Sequence, residues 1–333
     1  MFFKKFLFIF CLLSAGTALT AAEKSSENDN KLKSLLSRFP EADINKDGIL
    51  TASEAQQLKK KKNTAAARTV SGNNIPPGKE QKGYNGLFMG HSFFKPAAET
   101  LMTLIPDTNV VNHTEFIIMS GGPGGSPEML WENEGKRKAG MNYLDSGKVE
   151  FFAMTYFNEI NSSVEDYSKW FDYAIAKNPN INFMIALPWG THLYQTPESQ
   201  INDAEKYYQA IHDKLIVALR EKYPKNKIIY CPYGLGVYEL IRRLNKGSLP
   251  GVKHILSPDR SRQRVDQILV DPLGHGTELV SLLSSLIWMQ TIYNYDLSTI
   301  NKKFRAKGLP DIDLNEIAAG IYKKIQPYNA LYK

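Results

Sequence analysis

Cysteine is nearly absent from this chain of 333 residues, which contains only Cys11 and Cys231. Cys11 lies in the apolar N-terminal segment, and its removal with that segment would leave one thiol and no intramolecular disulfide. Cys231 lies in the apolar run KIIYCP, where a thiol is predicted to be a small buried side chain rather than a nucleophile. Stability must therefore come chiefly from a core, and the apolar content of 43% is ordinary for a globular protein.

Signals for zinc, nucleotides and nucleic acids are also missing. His113, His212 and His254 have no cysteine or acidic partner at ligand spacing, so no zinc site is expected. No P-loop is present, and the glycines of GLGVYE at 234–239 are too few for nucleotide binding. The net charge of +7 is diffuse, and it does not predict a nucleic-acid partner.

The N-terminus is strongly apolar, but its run is too short to span a bilayer. Lys4 and Lys5 precede an apolar run that ends at Leu13, and small residues follow. This order is typical of a secretory signal peptide, here residues 1–22, with cleavage near Ala18 or Ala22. The mature protein is therefore predicted to be secreted or periplasmic, without membrane insertion, and we expect it to be a monomer.

Two structured regions are predicted after the signal segment. Residues 31–62 are predicted to form a small helix-loop-helix, because LKSLLSRF has apolar residues at helical spacing and SEAQQLKKKK resumes a helix. Residues 63–83 are predicted to be a linker, since they are rich in Thr, Ala, Gly, Asn and Pro. Residues 84–333 alternate short apolar runs with helical stretches such as 126–144 and 203–223, which favours a parallel sheet covered on both faces. The candidate strands are GLFMG (86–90), TEFIIMS (114–120), VEFFAMT (149–155), INFMIALP (181–188) and KIIYCP (227–232).

The loop of the N-terminal module, DINKDGILTASE at 43–54, fits an EF-hand calcium loop position by position. Gly48 permits the sharp turn of such a loop. The candidate ligands are Asp43, Asn45, Asp47, the Ile49 carbonyl, Thr51 and Glu54. Hard oxygen ligands in this order are what Ca²⁺ requires. The loop is solitary, and an exported protein meets abundant Ca²⁺, so the ion is predicted to be a structural cofactor with no part in the chemistry.

A serine and a histidine occupy places where parallel sheets gather chemistry. Ser92 directly follows the first candidate strand and precedes a helix, whose N-terminus would favour developing negative charge. A serine nucleophile needs a base that is itself oriented, and DPLGH supplies Asp271 and His275 before another helix. Each residue alone fits an N-cap or an ordinary turn. Their combination favours a catalytic role for Ser92.

At these residues the chain resembles the SGNH (GDSL-like) hydrolases, a superfamily of esterases and lipases, over about residues 84–295. GLFMGHSF resembles the family's first block, with Gly-His-Ser in place of Gly-Asp-Ser, and DPLGH resembles its last block. The resemblance implies a three-layer α/β/α sandwich with a mostly parallel, flavodoxin-like sheet of five strands. It also implies ester hydrolysis with Ser92 as nucleophile, His275 as base and Asp271 as the orienting acid. DPLGH has three residues between Asp and His where the family usually has two, so a backbone carbonyl or another acid is an alternative to Asp271.

The resemblance also implies an oxyanion hole, the set of donors that stabilises the negative oxygen of the reaction intermediate. MSGGPGGSP resembles the family's second block, which makes Gly121 or Gly122 the donor from this loop. TYFNE resembles the third block and makes the Asn158 amide a donor. Asn158 lacks the family's usual neighbours, so Asn161 is an alternative.

Three further residues are candidates for substrate binding. They are His91 beside the nucleophile and, in LPWGTHLYQ after the fourth strand, Trp189 and His192. Aromatic faces at a sheet edge suit a sugar ring or an acyl chain, although packing would explain the same residues.

The function predicted from these patterns is hydrolysis of a small-molecule or carbohydrate ester by an exported esterase, with no cofactor in catalysis. A noncatalytic glycan-binding protein on the same fold is the alternative, and the distance between Ser92 and His275 discriminates between them. In a third hypothesis the calcium loop is the functional part, and the large domain docks a partner.

Overall fold

The structure is a computed structural model, and it describes residues 25–38, 40–43, 47–51, 80–259, 264–297 and 306–330. The chain divides into two units, Met1–Ser71 and Gly72–Lys333. The first unit contains helix α1 (Asn30–Arg38) ahead of the predicted calcium loop. The predicted signal peptide, the second helix of the N-terminal module and most of the predicted linker lie outside the described residues. Within the described ranges, no helix is long and apolar enough to cross a membrane.

The second unit is built on one parallel sheet of five strands. The strands are β2 (Asn85–Gly90), β4 (Thr114–Met119), β5 (Phe151–Thr155), β6 (Asn182–Ala186) and β7 (Ile228–Cys231). Their order across the sheet is β4-β2-β5-β6-β7, and every neighbouring pair is parallel. This order confirms the predicted flavodoxin-like sheet. β5 is buried along its whole length, which explains why the sequence shows a continuous apolar run instead of alternation. A separate two-stranded ladder pairs β1 (Gln81–Lys82) with β3 (Val110–Val111).

Helices cover both faces of this sheet, which confirms the three-layer α/β/α fold. One layer contains α2 (Lys95–Leu104), α9 (Leu235–Asn245), α10 (Glu278–Tyr293) and α11 (Leu314–Ala330). The other layer contains α3 (Pro127–Glu132), α4 (Glu134–Leu144), α5 (Val164–Lys177) and α8 (Val217–Lys222). Two short helices, α6 (Glu198–Asn202) and α7 (Ala204–Ile211), precede α8. Helix α10 packs against α2, α9, α11 and β7, so its apolar residues extend around its whole circumference.

Three elements differ from the sequence-based prediction. The helix predicted over 126–144 is two helices, because Asn133 ends α3 and its side chain caps α4 by accepting from the Lys136 N–H. The helix predicted over 203–223 contains a π-helical turn, His212–Ile216. Helix α11 was not predicted; it packs against α9, α10 and β7.

The predicted site residues follow strands that end at one edge of the sheet. The chain runs from β2 outward to β4 and then returns across β2 to β5. Ligands of open α/β sheets bind at such a topological switch point, outside the carboxyl ends of the strands. Ser92 comes shortly after β2, which ends at Gly90, and Asn158 comes shortly after β5, which ends at Thr155. The fold therefore brings these two side chains to the same crevice.

Candidate active site

Ser92 lies in a tight turn between β2 and α2. Gly90 ends the strand, and a Cβ at this position would lie 2.6 Å from the buried ring of Phe94. The Phe94 and Lys95 N–H groups both donate to the His91 carbonyl, which closes the turn. Because Gly90 has no side chain, the Phe94 ring can pack against it and the chain can turn sharply at this point. Ser92 remains partly exposed at the end of the strand.

His275 and Asp271 complete a chain of hydrogen bonds with Ser92. The His275 Nε2 atom lies 2.7 Å from the Ser92 Oγ, although the two residues are separated by 183 positions. The His275 Nδ1 atom lies 2.8 Å from the Asp271 Oδ2. This is the arrangement of a nucleophile, a general base and an orienting acid.

A glycine turn accommodates the extra residue between Asp271 and His275. Gly274 has a φ of +103°, a conformation that favours glycine. The other carboxylate oxygen of Asp271 accepts from the Gly274 and His275 N–H groups at 3.1 and 3.2 Å. The Val270 N–H donates to the His275 carbonyl at 2.8 Å and closes the loop. The longer spacing therefore still places Asp271 against the His275 ring, and no substitute acid is required.

Asp271 is held in its charged form. Burial alone would raise its pKa, but hydrogen bonds from the His275 ring and from the His275 and Gly274 N–H groups lower it below the ordinary value. A charged carboxylate fixes the proton of the neutral imidazole on Nδ1, which leaves Nε2 free to accept from the Ser92 hydroxyl.

Of the predicted oxyanion donors, Gly122 and Asn158 line the same cavity as Ser92. The Asn158 Oδ1 accepts from the Asn161 N–H at 2.9 Å, which orients the amide and leaves its NH₂ group as a donor. The Asn161 side chain donates to Glu128 and is not part of the cavity lining. Gly121 precedes the turn and is likewise outside the lining. Between the alternatives left open by the sequence, the geometry favours Gly122 and Asn158.

Trp189 supports the histidine loop, whereas His192 does not reach the cavity. The Trp189 indole N–H donates to the Gly274 carbonyl at 2.7 Å. Its ring stacks on Phe93 at a centroid distance of 4.9 Å, and Phe93 in turn meets the His275 ring edge-on. His192 is exposed and lies outside the lining. Both residues remain predictions as substrate contacts.

The cavity above Ser92 has a volume of about 420 Å³. Its walls include apolar residues that the sequence analysis did not select, and a signal for Phe93 was available in the FF pair that follows Ser92. The lining residues are His91, Ser92, Phe93, Gly122, Pro123, Phe157, Asn158, Pro188, Trp189, Gly190, Thr191, Leu273 and His275. Among these described residues there is no Lys, Arg, Asp or Glu, so the cavity suits an uncharged group.

The described part of the predicted calcium loop contains the sharp turn that was expected at Gly48. Gly48 has a φ of +82°, and the Asp43 carboxylate accepts from the Asp47 and Gly48 N–H groups at 3.2 and 2.8 Å. Leu50 exchanges two hydrogen bonds with Ser26, an upstream pairing that the sequence analysis missed.

The calcium donor set itself is described only in part. Asp43, Asp47, Ile49 and Thr51 are described, whereas Asn45 and Glu54 lie outside the described residues. Within the described ranges, no group of three or more His, Cys, Asp or Glu side chains could hold a metal ion. The Ca²⁺ site therefore stays a prediction.

Comparison with known proteins found a similarity to one solved structure. No family model matches the chain, and no curated protein matches it. The chain is similar to the crystal structure of a DUF4886 family protein from Bacteroides uniformis ATCC 8492, with 13% sequence identity and a TM-score of 0.48. The match covers 74% of this chain and 95% of the other.

Proposed function

We propose that this protein is a serine esterase of the SGNH (GDSL-like) type. The observation that carries the proposal is the hydrogen-bonded chain from Ser92 through His275 to Asp271, which opens into a cavity at the switch point of the sheet. A Ser92–His275 distance of 2.7 Å favours this function over a noncatalytic glycan-binding protein, which has no need of an oriented base.

The proposed reaction is a two-step acyl transfer. His275 removes the Ser92 proton as the Oγ forms a bond to the ester carbonyl carbon, and it returns that proton to the leaving alcohol when the ester C–O bond breaks. A water molecule then gives a proton to His275 as its oxygen attacks the acyl carbon. His275 returns this proton to the Ser92 Oγ when the bond between Oγ and the acyl carbon breaks, which releases the acid. Asp271 stabilises the imidazolium of each step and stays ionised.

The negative oxygen of each intermediate would be stabilised by the Ser92 N–H, the Gly122 N–H and the Asn158 amide. Preorganised donors of this kind stabilise charge strongly, because they are fixed before the reaction and little water competes with them. The close packing of the glycine loop supports this assignment, since a Cβ on Gly125 would lie 2.6 Å from the Gly90 carbonyl oxygen. That contact keeps the loop beside the end of β2.

The proposed substrate is an uncharged ester in which an acyl group is attached to a carbohydrate. The apolar walls and the absence of Lys, Arg, Asp and Glu from the described lining support a neutral acyl group. The carbohydrate portion rests on the predicted export of the protein and on the aromatic residues at the sheet edge. Secretion or periplasmic location follows from the predicted signal peptide and belongs to the same proposal.

A bound Ca²⁺ would have a structural role in the N-terminal module. Asp43, Asn45, Asp47, the Ile49 carbonyl, Thr51 and Glu54 would hold it. The turn at Gly48 supports this assignment. The proposed chemistry at Ser92 does not involve the ion.

The test is hydrolysis of p-nitrophenyl acetate and of an acetylated oligosaccharide by the mature protein, its Ser92→Ala variant and a Ser248→Ala control. Ser248 is an exposed serine outside the cavity lining. We expect activity that is lost in Ser92→Ala, retained in Ser248→Ala and unchanged by a calcium chelator. Activity that survives in Ser92→Ala would exclude this nucleophile. A folded protein that binds the oligosaccharide without turnover would favour the glycan-binding alternative.

A further inference from the structure

His91, the residue before the nucleophile, is buried at the centre of the site. Only 4% of its surface is exposed. Its ring meets the ring of Phe93 edge-on at 5.5 Å and that of Phe157 at 5.9 Å. These residues belong to the serine turn and to the segment that carries Asn158. A side chain in this position contacts several parts of the site, but it offers little surface to a substrate.

The hydrogen bonds of His91 define which ring nitrogen carries the proton. Nδ1 accepts from the Phe93 N–H at 3.1 Å, so Nδ1 cannot itself be protonated. The proton must therefore reside on Nε2, which lies 3.3 Å from the Thr155 Oγ1 at the end of β5. The neutral imidazole thus joins the turn that carries Ser92 to the strand that precedes Asn158.

The glycine-rich loop packs directly against the same residue. A Cβ on Gly125 would lie 2.6 Å from both the Cα and the Cβ of His91, a distance that no side chain tolerates. Gly125 is buried and follows Gly122 by three residues. The loop that supplies one oxyanion donor therefore lies against the backbone and Cβ of His91.

We propose that His91 is a positioning residue that, as a neutral Nε2–H imidazole, fixes the Ser92 turn against β5 and the glycine loop. The inference rests on the proposed role of Ser92 as nucleophile. His91 acts through Ser92 and the oxyanion donors, and it neither accepts the Ser92 proton nor needs to touch the substrate.

The electrostatic surroundings keep His91 neutral during the reaction. Burial lowers its pKa to about 4, a hydrogen bond to the Tyr156 carbonyl opposes this shift, and His275 lowers it further. His275 is the titratable group that faces it, while Thr155 and the Tyr156 backbone face it from β5 and the residue that follows. Protonation of His91 would place a hydrogen on Nδ1 and expel the Phe93 N–H. The turn should therefore lose its geometry only near pH 4.

The test compares His91→Ala with His91→Asn in the full-length mature protein. Alanine removes the acceptor for the Phe93 N–H, whereas an Asn side chain can accept from the N–H two residues later. We expect kcat to fall about 10²-fold in His91→Ala with KM unchanged, since small displacements of a reacting group cost this much. His91→Asn should recover most of the loss in kcat. His254→Asn is the matched control, because His254 lies outside the cavity lining.

A second measurement does not depend on activity. The ¹⁵N chemical shifts of histidine-labelled protein report the tautomer of each ring, and the spectrum of His91→Asn identifies the His91 signals. We expect a neutral Nε2–H ring at pH 7 that titrates near pH 4. An Nδ1–H tautomer, or titration near the ordinary value, would overturn the proposal even if no ester is hydrolysed. So would a folded His91→Ala variant with wild-type kcat, or one in which only KM rises.

Discussion

The two ends of the sheet carry the same three chemical groups in different surroundings. At the carboxyl end, Ser92, His275 and Asp271 form a chain of hydroxyl, imidazole and carboxylate with distances of 2.7 and 2.8 Å. At the amino end, the Tyr293 hydroxyl lies 2.5 Å from the His113 Nδ1, and the His113 Nε2 lies 2.9 Å from Glu115. The connectivity of the two chains is therefore the same.

Exposure and charge distinguish these two chains. The His275 side chain is 31% exposed beside the cavity, whereas the His113 side chain is fully buried. Two backbone N–H groups and the His275 ring lower the pKa of Asp271 against the effect of burial. Burial raises the pKa of Glu115 well above its ordinary value, and Glu99 adds to this shift. Burial also lowers the pKa of His113 to about 4.

The same order of hydroxyl, imidazole and carboxyl groups thus occurs in surroundings that differ in exposure and charge, so this order alone does not identify a candidate active site. A general base needs a charged acid that is hydrogen-bonded to its other ring nitrogen, and the nucleophile needs open space for a substrate. In the amino-end chain of Tyr293, His113 and Glu115, burial lowers the pKa of His113 and raises that of Glu115, which favours the neutral form of both groups. The carboxyl-end chain of Ser92, His275 and Asp271 has a charged carboxylate and borders a cavity that Gly122 and Asn158 also line.

The strongest test replaces the two carboxyl groups by amides. Asp271→Asn should lower kcat about 10⁴-fold, because an amide can no longer fix the His275 tautomer or stabilise its imidazolium. Glu115→Gln should leave kcat unchanged, since Glu115 is buried at the opposite end of the sheet. The measurement is p-nitrophenyl acetate hydrolysis at saturating substrate. A comparable loss in both variants would mean that the two chains are not functionally distinct.

A second test concerns the proposed oxyanion donor Asn158, which lines the cavity at the carboxyl end. Asn158→Ala should lower kcat about 10²-fold, because it removes one donor from the proposed hole. Asn161→Ala is the matched control, since this amide donates to Glu128 and lies outside the cavity lining. The kcat values of both variants are compared with unfolding measurements. A larger loss of kcat in Asn161→Ala would reverse the assignment.

The third test uses the pH dependence of stability. The folded-state pKa of Glu115 is raised above the ordinary value of 4.5, so the folded state holds this proton more tightly than the unfolded state. The wild type therefore loses stability relative to Glu115→Gln as pH rises above about 4.5 and until the folded-state pKa is passed. The slope should approach about 1.4 kcal/mol per pH unit.

Urea unfolding of the wild type and of Glu115→Gln at pH 5, 7 and 8 measures this slope. Above pH 7 His113 is neutral in both the folded and the unfolded state, so it adds no slope of its own. A constant difference between the two proteins would reflect a changed hydrogen bond only. A wild-type stability that falls relative to that of Glu115→Gln as pH rises would show that Glu115 keeps its proton in the folded state, as predicted.

Much of this contrast was predictable from the sequence, but only at the carboxyl end. Buried parallel strands produce continuous apolar runs, so five strands and the residues that follow them could be read directly. Ser92 was identified in this way, His275 by its position before a helix, and Asn158 by the family resemblance. The placement of Asp271 could not be deduced, because it depends on the positive φ of Gly274.

The amino-end chain was not predicted, for a different reason. Tyr293 and His113 are separated by 180 positions, and no local spacing signals their contact. His113 was considered only as a metal ligand. The spacing of metal ligands does not reveal a hydrogen bond between its ring and the Glu115 carboxyl group two residues away. Helix α11 was missed as well; it contains Pro327, a residue that disfavours a helix interior.

The smallest expected effect comes from removing one hydroxyl at each end. Tyr293→Phe leaves the His113 Nδ1 atom without that hydroxyl inside the core, which should lower the free energy of unfolding by about 1–3 kcal/mol. Ser92→Ala removes the same kind of partner from His275, but water can reach this partly exposed ring, so its free energy of unfolding should change by less than about 0.5 kcal/mol. Activity should respond in the opposite order, with loss in Ser92→Ala and retention in Tyr293→Phe. Urea unfolding and ester hydrolysis of the two variants therefore separate the stability effect from the activity effect. Equal stability losses would mean that the two imidazoles have the same surroundings.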